Sequence, residues 1–163
     1  MFRNTTGNAD YVFIKGDKMR RTFAEWKEDY KIGITEVDEQ HISLVKLIND
    51  LHAGLSLNGK VNRTATFKSA AKEAVEYVKN HFNTEEKYMI QSKYPGLKEQ
   101  QEMHKDFIIA LISNVKSYEY NNMRAPVELL IFLKNWLLEH IAVEDKKIGQ
   151  FIQQNNFDKK TSD

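Results

Sequence analysis

The residues of this 163-residue chain with chemistry to offer are histidines and carboxylates. His81 and Glu85 stand four apart in His81-Phe-Asn-Thr-Glu85, with Glu86 beside them. On a helix that spacing puts both on one face, about one turn from each other. An imidazole nitrogen and a carboxylate placed that way can be directed at a single point. The pair also falls on an apolar seam. Phe67, Ala71, Ala74, Val78, His81, Glu85 and Tyr88 alternate spacings of four and three, as a core-facing helix stripe does. A glutamate on a buried seam carries a desolvation cost unless positive charge meets it. A metal ion would supply that charge.

The elements that position this pair follow from periodicity and from turn residues. A first helix is expected from an Asp38 N-cap to about residue 57, with His41, Leu44, Val45, Ile48, Leu51, His52 and Leu55 on its stripe. Asn58-Gly-Lys-Val-Asn62 reads as a connector. The second helix spans about 63–91 and is stopped by Ser92-Lys-Tyr-Pro-Gly96, where the proline biases Tyr94 away from helical angles. The third spans about 97–118, with Gln100, His104, Phe107, Ile108, Leu111 and Val115 inward. After a turn at Asn121-Asn122, the fourth starts near Pro126, a favourable first-turn residue, and carries Leu129, Leu130, Leu133, Trp136, Leu137, His140 and Ile141. Gly149 is expected to weaken it, and the Gln/Asn/Lys-rich end to unravel from Gln153. Four long amphipathic helices with short connectors predict an all-α, up-down-up-down four-helix bundle over residues 37–153. Residues 1–36 read as an N-terminal extended arm laid on it, with Tyr11-Val-Phe-Ile14 packing across the bundle, and residues 154–163 as a loose C-terminus.

This topology turns separate histidines into a site. The start of the first helix, the end of the second, the start of the third and the end of the fourth share one end of the bundle. His41, His81 with Glu85, His104, and His140 with Glu144 or Asp145 are therefore expected in one inward-facing layer. A lone histidine on an apolar stripe is more often a hydrogen-bonded core residue than a ligand. His52, about 16 Å further along the first helix than His41, is given that role. Four histidines at one height with two carboxylates are better explained by metal. Such a set, without thiolate, suits iron, manganese or zinc, and two carboxylates exceed what one tetrahedral zinc needs. Two metals bridged by the carboxylates use them better. From helix geometry alone, Glu144, four residues after His140, is the better carboxylate.

These residues carry a resemblance. From Trp26 to Ile148 the chain resembles the hemerythrins, non-haem di-iron, dioxygen-binding four-helix bundles. The likeness rests on Trp26, Gly33-Ile34, Val37-Asp38-Glu-Gln-His41, the His81/Glu85 pair, Tyr94-Pro95, His104, and Trp136-Leu-Leu-Glu-His140 followed by Asp145. It implies two iron ions with an oxo or hydroxo bridge, also bridged by Glu85 and Asp145. One iron would take His41 and His81 and keep a position for dioxygen; the other would take His104, His140 and a third histidine. It selects Asp145 over Glu144, which requires the helix to bend or loosen there. It also implies an oxygen pocket of Leu44, Phe82, Trp136 and Val143, residues that plain core packing would equally explain. The chain departs from the pattern at one point: where the family has a histidine four residues before His104, it has Gln100. An amide oxygen is a neutral, weaker donor that could still ligate iron or hold a water there.

The totals fit this picture and exclude others. Twenty-four basic and 23 acidic residues leave a formal charge of +1, which gives no electrostatic reason to expect nucleic acid or an anionic membrane as partner. With no cysteine there are no disulfides, thiolate metal sites or cysteine nucleophiles. No stretch approaches a membrane span or a signal peptide, so a cytoplasmic monomer is expected. The expected function is dioxygen binding, as carrier, store or sensor, rather than catalysis. The alternatives are a di-iron redox enzyme acting on peroxide or nitric oxide, and a degenerate bundle serving as an interaction module.

Overall fold

The structure is a computed structural model that describes residues 22–56 and 62–160. The Tyr11–Ile14 run and most of the connector after the first helix lie outside these residues. Helix α1 spans Thr35–Ser56, α2 Arg63–Ser92 and α3 Leu97–Glu119; the last rod is α4, Ala125–Trp136, a π-helical segment, Leu137–Asp145, and α5, Lys146–Lys160. α1 packs beside α2 and α4, α2 beside α3, and α3 beside α4, so the four rods close a bundle in sequential order. Among the described residues there is no strand, and no helix is long and apolar enough to cross a membrane.

The helix ends follow local chemistry. Asn62 caps α2, its side-chain oxygen accepting from the N–H groups of Thr64 at 3.0 Å and Ala65 at 3.2 Å. α2 ends at Lys93, whose left-handed backbone lets Tyr94 N–H reach Met89 O at 2.9 Å. The stripe of α2 is buried from Phe67 through Glu85 and closes on Met89, fully buried, while Tyr88 is only half-buried.

Several expectations are corrected by the packing. α1 starts at Thr35, not at Asp38. The Asp38 carboxylate instead turns back to the arm, accepting from Ile32 N–H at 2.8 Å and Gly33 N–H at 3.2 Å. It fixes the arm to the first turn of the bundle. Ile108, expected inside, is 39% exposed: with Val75, Ile109 and Ile112 it lines an open groove between α2 and α3. The helix does not weaken at Gly149, and its backbone stays helical through Lys160, past the Gln153 where unravelling was expected. The arm explains why glycine stands at 149. A Cβ there would run into the backbone oxygen of Ile32, so the missing side chain admits the arm against α5. Gln153 seals this contact by donating to Ile32 O at 3.1 Å. Between Thr22 and Ile34 the arm holds one 3-10 turn, Glu28–Tyr30, and buries Ala24, Tyr30 and Ile32.

Candidate metal centre

The helices bring His41, His81, Glu85, His104, His140 and Asp145 into one layer, each at most 3% exposed. Among the described residues, donor atoms converge in two groups: His41, His81, Glu85 and Asp145, and Glu85, His104 and His140. The two carboxylates lie between the histidine pairs. Glu85 Oε2 is 3.6 Å from His81 Nε2 and 3.3 Å from His104 Nε2. Asp145 Oδ2 is 3.4 Å from His41 Nε2, and its Oδ1 is 3.0 Å from His140 Nε2. Donors sharing an ion about 2 Å from each lie roughly 3–4 Å apart, so these separations suit two ions side by side. His52 is not part of this layer. It stacks on Phe23 at 4.7 Å, near the opposite end of α1.

The π-helix sets Asp145, rather than Glu144, against His140. In an α-helix, a residue five on from His140 would be turned about 140° round the axis. A π-helix bonds each residue to the one five away, bringing such residues onto one face. Over Leu137–Asp145 the backbone takes that form, and Asp145 is fully buried against His140. Glu144 points outward and accepts from Lys147 at 2.6 Å. Val143 is carried out by the same winding. It is 49% exposed, so its expected place in a pocket lining is not met. Leu44 and Phe82 are buried and Trp136 is half-buried, with Phe82 stacked on His104 at 3.8 Å and Trp136 on His140 at 3.7 Å.

Two residues without a role in the sequence analysis, Gln40 and Glu86, fix the imidazoles. Thr84 Oγ1 donates to Asn80 O at 2.8 Å, so it receives the Gln40 amide N–H at 3.0 Å as an acceptor. Gln40 Oε1 is thereby turned to His81 Nδ1, 3.1 Å away, and accepts its proton. His81 Nε2 then carries the lone pair, facing the centre. Glu86 does the same for His104: its Oε1 accepts from Nδ1 at 3.3 Å, and its Oε2 accepts from Gln101 Nε2 at 2.9 Å. Such outer partners set tautomer and orientation in histidine metal sites. Gln40 and Glu86 are sequence neighbours of ligands, but their bonds cross between helices. Only the pairing of the helices reveals them.

The electrostatics are those of a cation site. Burial raises the Glu85 carboxyl well above the usual carboxylate range, and the charge of Asp145 adds to it. Burial acts on Asp145 in the same sense, but the His140 and His41 imidazoles beside it outweigh burial and hold its carboxyl below that range. Burial holds the His81 imidazole well below its usual value, against the pull of Asp145. Burial also lowers His104, opposed by its bond to Glu86. Nε2 of all four histidines, both oxygens of Glu85 and of Asp145, and Oε1 of Gln100 are buried without a hydrogen-bond partner. Buried polar atoms are ordinarily paired, and cations would satisfy the lone pairs of this layer together. Gln100 itself is 2% exposed, one turn before His104 on α3. The residues present fit a pair of iron ions with nitrogen and oxygen donors.

Comparison with known proteins agrees. Residues 32–152 match the Hemerythrin HHE cation binding domain. The chain belongs to the hemerythrin family. It is 28% identical to a bacteriohemerythrin of Clostridium acetobutylicum over 123 residues, 75% of this chain and 95% of that protein. It is 30% identical to a bacteriohemerythrin of Pseudomonas aeruginosa over 120 residues, 74% of this chain and 75% of that protein. To myohemerythrin-1 of Phascolopsis gouldii it is 26% identical over 124 residues, 75% and 88% of the two chains. Hemerythrins are dioxygen-binding di-iron proteins, and this hemerythrin has the buried histidine and carboxylate groups to hold the metal.

Proposed function

We propose that this hemerythrin binds dioxygen reversibly, as a carrier or store, on the side of its di-iron centre served by His41 and His81. In this reading His41 and His81 would hold one iron, and His104 and His140 would hold the other with the amide oxygen of Gln100, while Glu85 and Asp145, which lie between the two histidine pairs, would serve both. When bound, the iron pair supplies the electrons that dioxygen uptake needs. The protein's part is to orient donors and exclude water. Gln40 and Glu86 keep the Nε2 lone pairs of His81 and His104 turned inward. Leu44 and Phe82, both buried, and Trp136 wall the histidine layer from solvent.

The observation that carries the reading is the dryness of the layer: no proposed histidine or carboxylate ligand is more than 3% exposed. Excluding water suppresses the side reactions that would turn reversible uptake into oxidation. Reduced, iron-loaded protein is expected to gain a visible absorption band under dioxygen that clears under nitrogen through repeated cycles. A band lost irreversibly in the first cycle would count against carriage.

Gln100 favours a second reading. A neutral amide holds iron less firmly than an imidazole, so ligands on that side exchange more readily. That suits sensing, or redox turnover of peroxide or nitric oxide.

A further inference from the structure

Among the described residues, one of the buried polar groups with no part in the arrangement so far is the hydroxyl of Tyr77. Tyr77 lies on α2 one turn before His81, and its ring is stacked on that imidazole, 4.8 Å between centroids and 23° between planes. The residue is 8% exposed, and its hydroxyl oxygen is buried with no hydrogen-bond partner. A buried phenol ordinarily finds one, because the unpaired group forfeits its hydration. Phenylalanine would fill nearly the same volume without that cost. A neutral phenol is an O–H donor, and the stacking on His81 sets it beside the centre.

The two sides of the centre differ in what they offer a ligand. On the His41/His81 side the protein provides two nitrogens and the two shared carboxylates. The His104/His140 side adds the buried amide oxygen of Gln100. The first side has the fewer protein donors, and Tyr77 is stacked against it. Trp136 Nε1, another buried group without a partner, belongs to a ring stacked on His140 at the second side, and His41 Nδ1 belongs to a proposed iron-binding ring.

We propose that the Tyr77 hydroxyl is the protein's own hydrogen-bond donor to a small ligand taken up at the His41/His81 side: dioxygen, or azide as an anionic stand-in. The inference rests on the di-iron reading above and adds a determinant of ligand choice. A donor in a dry pocket favours ligands that gather negative charge over diatomics that do not.

The test is Tyr77→Phe in the iron-loaded protein, with azide titrated against the oxidised form. Azide affinity is expected to fall roughly tenfold, with iron content unchanged. The infrared stretch of bound azide should shift in D2O in the unmutated protein and lose most of that shift in Y77F. Metal-free Y77F should melt no lower than the metal-free parent, because its hydroxyl has no protein partner to lose. Equal azide affinity in the two proteins overturns the proposal, as does a metal-free Y77F that melts several degrees lower. An azide band unmoved by D2O in the unmutated protein also overturns it, whether or not the variant folds. A parent protein that takes up no iron refutes the underlying centre, and this inference with it.

Discussion

Gln100 is the residue at which this chain parts from the hemerythrin pattern, and its burial gives that difference a chemical meaning. At 2% exposure with an unpartnered amide oxygen, it is no surface replacement. It stands where an imidazole would bring a stronger, σ-donating nitrogen. Gln100→His is therefore expected to slow iron release to a chelator several-fold and to slow autoxidation of the reduced protein. Chelator-release kinetics and the decay of the oxygenated spectrum measure the two effects. Release and decay at parental rates would leave Gln100 as a packing residue. The sequence exposed this departure because a ligand spacing of four is a local property of one helix. It gave no sign of Tyr77's part, although Tyr77 lies four before His81. Tyrosine on an apolar stripe is ordinary, and only the surroundings show that its hydroxyl lacks a partner.

Among the elements, the joint between the arm and α5 is the most exacting. Ile32 is 3% exposed, its N–H is held by Asp38, and its carbonyl receives Gln153. Gly33 beside it takes a φ of 82°, a left-handed conformation that glycine adopts without strain. Into this fixed strand of backbone a Cβ at residue 149 would collide with the Ile32 carbonyl oxygen. Gly149→Ala gains about 1 kcal/mol of helix propensity, yet displacing the pinned arm costs about 1–3 kcal/mol, as overpacking does. A net fall in melting temperature of several degrees is expected, with faster proteolysis between Thr22 and Ile34. An alanine variant as stable as the parent would mean that the arm yields freely. The π-helix is the other element with a function. Without it Asp145 would turn away from His140, and Glu144 would be the nearer carboxylate.

At the scale of the whole molecule, one end of the bundle is a polar layer inside an otherwise apolar core. Four imidazoles and two carboxylates are dehydrated there, and cations relieve the cost. Removing iron is expected to lower the melting temperature by about 10 °C, taking roughly 4 kcal/mol of binding linkage and about 2–4 °C per kcal/mol for a chain of this size. The difference should grow with pH. Glu85's raised value in the fold means that, metal-free, its favourable contribution is full below about 4.5 and is lost as pH rises through the raised value. The metal needs the ionised carboxylate, so its binding strengthens over the same rise. His81, lowered in the fold, is mostly neutral above about 6.5 and does not compete there. Scanning calorimetry of iron-loaded and metal-free protein across pH 5–8 checks this; a gap that narrows with rising pH would contradict it.

The sequence by itself determined four amphipathic rods, their antiparallel order and the histidines at one end, because a 3.6-residue period and a spacing of four are written along the chain. Even there, helix geometry alone favoured Glu144. Tertiary structure decided what depends on how rods meet. It supplied the π-winding that buries Asp145 and turns Val143 outward, the groove that exposes Ile108, and the bonds by which Gln40 and Glu86 orient imidazoles. It also supplied the arm that makes Gly149 necessary. Each of these is a contact between residues distant in sequence, or a backbone form stabilised by such contacts, and a one-dimensional period carries no record of them.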